Sequence, residues 1–479
     1  MKRRGAIGAV LLAVVAAGAG ASTARAEEAP AASTAEPPPA PIPTTSPAET
    51  APPPEAPPAH DDLAALRADL AAQGAAIEAL EARAHTRDRA PIANVHLSGY
   101  VQIDWVIHSQ ASQDEVDDST GLPINQDRFT LRRGHLRLDV DRGPIAGALE
   151  IDANTTNGPQ VRPIDAEVAF RWPPPSEAEK PIFVASLGLM KIPFGFEVPE
   201  LDNVRPFLER STVMRALFPG EFDLGARLSG GYRSIEWAIA LMNGNPIGDA
   251  QFPDLAPGKT KELVARLGAH ADLGGGVLFE AGVSGDTGLG FHEGTPTTKD
   301  VVIWRDDNGD GIVQATEIGV IPGMAATPSQ QFRRFAVGAD ARLTIPIAPL
   351  GALAIRAELA RAQNLDRGVE PADPVGAGYD LRELGWYVGA TQELTRWAMV
   401  GVRYDRYDPD QDAREEQAAN VVPVDRTYRT LALMAMARYE GARLLLEYDH
   451  NGNALGRDAS GAPATLRDDA LILRGQVAF

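Results

Sequence analysis

Residues 97–105 read Leu97-Ser98-Gly99-Tyr100-Val101-Gln102-Ile103-Asp104-Trp105. In an extended chain Leu97, Gly99, Val101, Ile103 and Trp105 fall on one face and Ser98, Tyr100, Gln102 and Asp104 on the other. A strand of this kind divides an apolar medium from a polar one. Comparable stretches follow near 128–140, 146–154, 164–172, 182–192, 223–232, 235–242, 262–270, 276–284, 333–345, 352–361, 382–392, 397–407, 428–439, 442–450 and 468–479, which makes sixteen. The gaps after even strands are short, as at Arg233-Ser234 and Glu440-Gly441, whereas those after odd strands are mostly long. An even strand number with long connections sorted to one end predicts an all-β fold, a 16-stranded antiparallel transmembrane β-barrel over 95–479.

The two faces assign the media. Leu149, Ile151, Val168, Phe170, Leu224, Leu228, Ile239, Val337, Leu343, Leu353, Ile355, Val400, Leu431, Leu433, Leu471, Leu473 and Val477 are expected to face lipid. Glu150, Asp152, Asp165, Glu167, Arg227, Arg266, Asp340, Arg342, Arg356, Glu358, Arg403, Asp405, Arg438, Arg443, Glu447 and Arg474 are expected to face the lumen. A dry core cannot hold so many charges, since each would need a partner, but a water-filled one can. Outward aromatics fall near both ends: Trp172, Tyr232, Trp237 and Tyr439 by the short turns, and Trp105, Phe335, Trp386 and Tyr404 by the long connections. One strand breaks the pattern. Phe129 and Leu131 share parity with Arg133 and His135, while Leu136, Leu138 and Val140 take the other face, which predicts a β-bulge near Arg132.

The rest of the composition fits export. Among 479 residues, 45 Lys and Arg stand against 65 Asp and Glu, a net charge of −20, and Cys is absent. Acidity of this order argues against nucleic-acid binding, and a chain without Cys has neither disulfides nor thiolate metal sites. Lys2, Arg3 and Arg4 precede an apolar run from Ala6 to Ala17, and Ala24-Arg25-Ala26 offers a cleavage site, so residues 1–26 read as a signal peptide. Residues 27–60 contain 12 Pro and read as a semi-rigid linker. Leu63, Leu66, Leu70, Gln73, Ile77, Leu80 and Ala84 then alternate spacings of three and four, the seam of a short periplasmic coiled coil over 61–87.

Catalytic constellations are missing from the sequence: the eight His are scattered, and neither H-E-x-x-H nor G-x-S-x-G occurs, so no enzyme is expected. The third long connection, Pro193 to Phe222, is rich in apolar residues and is expected to fold inward against the wall and narrow the pore. In it Arg205, Arg210 and Arg215, with Lys191 at its root and Glu209 beside them, form the expected constriction. The basic groups are expected to contact anions; structural pairing with Glu197 or Glu209 is their alternative role.

The stretches Lys191-Ile-Pro-Phe-Gly-Phe-Glu197, Arg205-Pro-Phe-Leu-Glu-Arg-Ser211, Asp223-Leu-Gly-Ala-Arg-Leu-Ser-Gly230, Met242-Asn-Gly-Asn-Pro246, Arg403-Tyr-Asp-Arg-Tyr-Asp-Pro-Asp410 and Leu471-Ile-Leu-Arg-Gly-Gln-Val-Ala-Phe479 resemble the phosphate-selective porin O and P family. The resemblance implies a homotrimeric porin of the bacterial outer membrane, surrounded by its lipid, with the third loop folded into the channel. It also implies that Phe479 is read by the barrel assembly machinery. Phosphate selectivity in that family rests on lumenal arginines and a lysine cluster. Here there are six Lys, with only Lys191 near the constriction, and the third loop carries three Arg against five carboxylates. The expected function is passive diffusion of small hydrophilic solutes, phosphate or other anions among them. The alternatives are a general or cation-preferring porin, or a surface adhesin or envelope tether anchored by the barrel.

One further motif stands apart. Asp306-Asp-Asn-Gly-Asp-Gly-Ile-Val-Gln-Ala-Thr-Glu317 matches the D-x-[DN]-x-[DN]-G-x5-E calcium loop. Asp306, Asn308 and Asp310 would supply side-chain oxygens, Ile312 its carbonyl, Gln314 a water and Glu317 both carboxylate oxygens to Ca2+.

Overall fold

The computed structural model describes residues 94–109, 125–173, 181–249, 258–417, 420–453, 456–457 and 463–479. The expected signal peptide, linker and coiled coil lie outside these residues. Sixteen strands close into one antiparallel barrel, each paired to its neighbours in sequence. They are β1 Asn94–His108, β2 Arg128–Arg142, β3 Ile145–Asn154, β4 Gln160–Trp172, β5 Phe183–Lys191, β6 Phe222–Tyr232, β7 Ile235–Met242 and β8 Glu262–Asp272. The second half comprises β9 Leu278–His292, β10 Gln330–Ile347, β11 Gly351–Gln363, β12 Arg382–Thr395, β13 Ala398–Asp408, β14 Tyr428–Tyr439, β15 Ala442–Gly452 and β16 Ala470–Ala478. All sixteen expected stretches are strands. Several run longer than the alternation suggested, notably β9 and β10, because they continue past the bilayer into their connection, where the apolar face is no longer required.

Burial follows the media. Outward Leu187 (68% exposed), Val168 (61%) and Val283 (57%) are among the most exposed large side chains, while inward Glu447 (1%), Glu358 (2%) and Arg474 (2%) are enclosed. In a soluble protein these values would be reversed. Trp172, Tyr232 and Tyr439 at one end, and Trp105, Phe335 and Tyr404 at the other, are exposed as interfacial residues are. Among the described residues no helix is long and apolar enough to cross a membrane. Spanning belongs to the strands.

Local chemistry sets the short-turn end. The two-residue turns after β2, β6 and β14 each begin with a positive φ, at Gly143 (66°), Arg233 (56°) and Glu440 (50°), the geometry that matches strand twist in a tight hairpin. The bulge expected near Arg132 is present: Gln102 pairs with Arg133 and Ile103 with Leu131, so Arg132 is the extra residue. A second bulge leaves Ile164 unpaired between Asp165 and Pro163 on β4, and the sequence reading did not register it.

The seam joins the first strand to the last. Tyr100 pairs with Ala478, and Gly99 exchanges both backbone bonds with Phe479 (3.0 and 2.9 Å). A Cβ at Gly99 would lie 2.8 Å from the Phe479 ring and 2.4 Å from the His135 carbonyl oxygen. Gly99→Val is therefore expected to weaken closure by about 1–3 kcal/mol. A lower temperature for loss of the folded band on a gel checks it; an unchanged temperature would show that the ring and the β2 backbone both give way without cost.

Candidate functional site

The third connection, residues 192–221, lies against the inside of the barrel. Phe194, Val198, Val213, Met214, Leu217 and Phe218 are fully buried, and the wall they meet is made of small inward residues: Ala240, Val264, Ala336, Ala360 and Ala362. Each large side chain removed from water there contributes about 1.5–3 kcal/mol. Glycines deepen the seat. A Cβ at Gly338 would fall 2.9 Å from the Phe194 ring, and one at Gly385 would fall 2.4 Å from Val213. Within the connection, helix α1 Thr212–Leu217 buries every side chain except that of Arg215.

Hydrogen bonds fix the start of the loop. Gly195 takes a left-handed φ of 62°. Its N–H donates to Ser284 Oγ (3.0 Å), and the Phe196 and Glu197 N–H groups donate to the Glu358 carboxylate (2.7 and 3.2 Å). Glu197 in turn accepts from the Ser211 N–H and hydroxyl (2.8 and 2.7 Å) at the head of α1.

The middle of the loop is held on the opposite wall. Glu209 is paired by Arg132 (2.8 Å), Arg133 (3.1 Å) and Arg474 (2.9 Å). The bulge explains two of these, since the extra residue lets consecutive arginines both reach the lumen. Leu208 donates its N–H to Glu447 (2.9 Å) and accepts at its carbonyl from Arg474 (2.8 Å), while the Glu209 carbonyl accepts from Arg403 (2.8 Å). Burial alone would raise the Glu209 carboxyl, yet the three guanidinium groups hold it well below the usual carboxylate range.

The expected constriction residues divide. Lys191 and Arg210 each pair with Glu221 at 2.8 Å, and Arg205 bridges Asp202 (2.7 Å) and Glu221 (3.2 Å). Their partners are thus Glu221 and Asp202, not the expected Glu197 and Glu209. The latter two are drawn away, Glu197 to Ser211 and Arg403 and Glu209 to the far wall, because the loop folds back on its own root. Arg215 alone is exposed; its side chain donates to Thr212 Oγ1 (3.2 Å) and makes no ion pair among the described residues.

The lumenal arginines are mostly engaged as well. Arg227 meets Glu167 (3.1 Å), Arg266 meets Asp340, Arg356 meets Glu200 (2.7 Å), Arg438 meets Glu393 (2.5 Å) and Arg474 meets Asp104 (2.7 Å). Arg403 lies 3.5 Å from Glu197, and Arg443 makes no ion pair among the described residues. Arg342 has a loose pair with Glu280 (3.5 Å) and lies over the Phe196 ring, with Arg356 also over that ring.

Sequence reasoning missed a second strap. Arg367, in the connection after β11, donates to the carbonyls of Leu217 and Gly244 (both 2.9 Å) and pairs with Glu262 (3.1 Å), clamping the third connection from the long-connection side. The one local hint was Leu365 beside Asp366-Arg367-Gly368, an apolar residue in a loop of turn formers. Toward the short turns, an open cavity of about 770 Å³ remains, lined in part by Lys191, Arg227, Arg233, Glu236, Arg266 and His270.

The acidic loop is wound, but the residues expected to be calcium ligands are not gathered. Asp306 accepts from the N–H groups of Gly309 (2.7 Å), Asp310 (3.1 Å) and Gly311 (2.8 Å), with Gly311 at φ 70°. Asn308 and Gln314 both donate to Asp310 (2.9 and 2.8 Å), and Ile312 is exposed. Glu317 accepts from the Trp304 indole (3.0 Å). No three His, Asp or Glu side chains among the described residues converge as a metal's ligands would.

No family model and no curated protein sequence matches the chain. Solved structures do. The outer membrane channel DcaP of Acinetobacter baumannii superposes over 81% of this chain and 97% of its own, with 11% identity and a TM-score of 0.50. OprB of Pseudomonas putida matches over 83% and 96% (11% identity, TM-score 0.48), and an anion-selective porin from Comamonas acidovorans over 81% and 100% (10%, 0.47). At such identities the likeness to the Acinetobacter channel is one of fold. Together with the closed sheet and its lipid-facing exterior, it makes this chain a barrel of the bacterial outer membrane.

Glu209→Gln is expected to free the middle of the third connection at a cost of about 3 kcal/mol, since three guanidinium groups would face a neutral amide. Protease cleavage between Arg205 and Arg215, or noisier single-channel current, checks it. The sign of the pH effect follows from the depressed carboxyl. The latch is fully formed above the ordinary carboxylate range and fails only as pH falls through the lower folded value, so wild-type noise should stay flat from about pH 8 to about pH 5.

Proposed function

We propose that the protein is a passive channel for small hydrophilic solutes, narrowed by its third connection. The observation that carries this reading is a loop laid across a charged lumen that leaves open, water-accessible space of about 770 Å³ beneath it. A barrel serving only as an anchor has no need of a lumen lined by ionised groups. By analogy with the family it resembles, the channel is a homotrimer assembled through the machinery that reads Phe479.

Small anions, phosphate included, are the favoured cargo. Lys191, Arg205 and Arg210 are neutralised by Glu221 and Asp202 and serve to hold the loop, which leaves the exposed Arg215 and the loosely paired Arg342 as the groups near the loop best placed to meet a passing anion. A guanidinium held on a ring face keeps its edge available for bidentate contact. The competing cation-preferring reading draws on the wall of Glu150, Asp152 and Asp165, but Arg137 already bridges Glu150 (2.9 Å) and Asp165 (2.7 Å).

For the acidic loop we propose weak Ca2+ binding, supported by a turn already wound around Asp306 with Gly311 left-handed. Binding must draw Glu317 away from Trp304, so the affinity belongs to the weak range of about 10⁻⁴ to 10⁻³ M.

In a salt gradient, Arg215→Gln with Arg342→Gln should move the reversal potential toward cations while conductance persists. An unmoved potential would remove both residues from selection, and a wild-type protein without conductance would favour the tether. For calcium, limited proteolysis between Thr295 and Pro328 should slow when the metal replaces chelator, and Glu317→Gln should abolish that protection. Equal rates in both conditions would leave an ordinary hydrogen-bonded turn.

A further inference from the structure

The outward face of the barrel is apolar until the strands leave the bilayer, and at the long-connection end its chemistry is one-sided. On five consecutive strands, β10 to β14, an arginine stands on the outward register within three residues of the long-connection end, at Arg333, Arg361, Arg382, Arg406 and Arg429, with Gln331, Gln363 and Asp408 following on β10, β11 and β13. Each shares parity with exposed side chains of the lipid face, respectively Phe335, Leu359, Val388, Tyr404 and Leu431. Across the strands these positions are staggered: Arg361 lies opposite Val337 and Leu384, Arg382 opposite Gln363 and Arg406 opposite Trp386, while Arg406 and Arg429 face each other directly. At the same end of β2, β4, β7 and β8 the outward residues are Phe129, Val161, Leu241 and Leu263.

Two features of the arc point to something outside the protein. Arg382 and Arg429 reach loop carboxylates, Asp412 and Asp425 (2.7 Å), but Arg333, Arg361 and Arg406 make no ion pair among the described residues, and the Arg406 Nε is enclosed without a hydrogen-bond partner. Asp408, on the face of Arg406, feels its charge without pairing to it. Arg406 and Arg429 are also directly opposed across two strands. Like charges so placed repel, and the cost is removed when one anion lies between them.

What lies against the outside of a barrel just beyond its aromatic girdle is the headgroup layer. The geometry points to this arc as a docking surface for the phosphate groups of outer-leaflet lipid, with Arg361 and Arg406 as its unpaired centre and Trp386, the cross-strand neighbour of Arg406, anchoring the same depth. Guanidinium forks suit a phosphate bidentately, and their position outside the wall separates this role from solute passage. A lipid so held covers β10 to β14 and leaves the opposite arc free.

The full mature chain is reconstituted in phosphatidylcholine vesicles with a trace of spin-labelled phosphatidic acid or spin-labelled phosphatidylcholine, and the lipid shell is read by electron paramagnetic resonance. Wild type should prefer the phosphate monoester by about fivefold or more, the effect of one arginine near an anionic surface. R333Q/R361Q/R406Q should bring the preference near unity with gel mobility and conductance unchanged; if that variant fails to insert, R361Q/R406Q is read in the same way. No preference in wild type, or a preference kept by the variants, overturns the proposal. So does its removal by inorganic phosphate at fixed ionic strength, which would make the arc a site for a soluble anion.

Discussion

Inside a bilayer no water is available to satisfy a backbone N–H or carbonyl, so every strand must find a partner on both sides. Closure of β1 onto β16 meets that demand, and the rest of the molecule follows from it. A closed sheet has one outside and one inside, which turns the alternation of Leu97 to Trp105 into a separation of lipid from water. The inside then collects the charges, and those charges become the fastenings for whatever enters the lumen. Glu209 shows the sequence of dependence. It is held because Arg132, Arg133 and Arg474 face inward, and they face inward because the sheet closes.

Strand positions were legible because period-two alternation is a local signal, repeated in each stretch and checked by its neighbours. Even the irregularity at Arg132 could be read, since Phe129, Leu131 and Leu136 cannot share one face without an extra residue. The Ile164 bulge escaped because Val161-Arg-Pro-Ile164 already looked irregular through its proline. The inward folding of the third connection was legible in kind from its apolar content. Its fastenings were not. Glu209 meets Arg474 from the far end of the chain, and nothing near either residue announces the other. Charge inventory could not separate Lys191, Arg205 and Arg210, which are spent on Glu221 and Asp202, from Arg215, which stays exposed.

The small residues of the wall carry as much of the arrangement as the charges do. Ala240, Ala336, Gly338, Ala360, Ala362 and Gly385 look in sequence like weak strand formers. In the barrel they form a shallow seat whose depth matches Phe194, Val213 and Phe218. Packing sets where the loop lies, and ion pairs set its orientation. This division makes the loop a fixed part of the wall, with the strap at Arg367 closing over it from the other side.

The seam between Gly99 and Phe479 carries a consequence in time. The two residues that complete the cylinder lie in its first strand and just past its last, so the seam cannot close until all sixteen strands are present. Loop-closure entropy must be met before these distant contacts return anything, which makes folding slow and leaves unpaired strands open to wrong partners meanwhile. A chain with this topology spends its early life as an unfolded passenger. Its acidic composition, at a net −20, opposes association of such chains while their strands are unpaired.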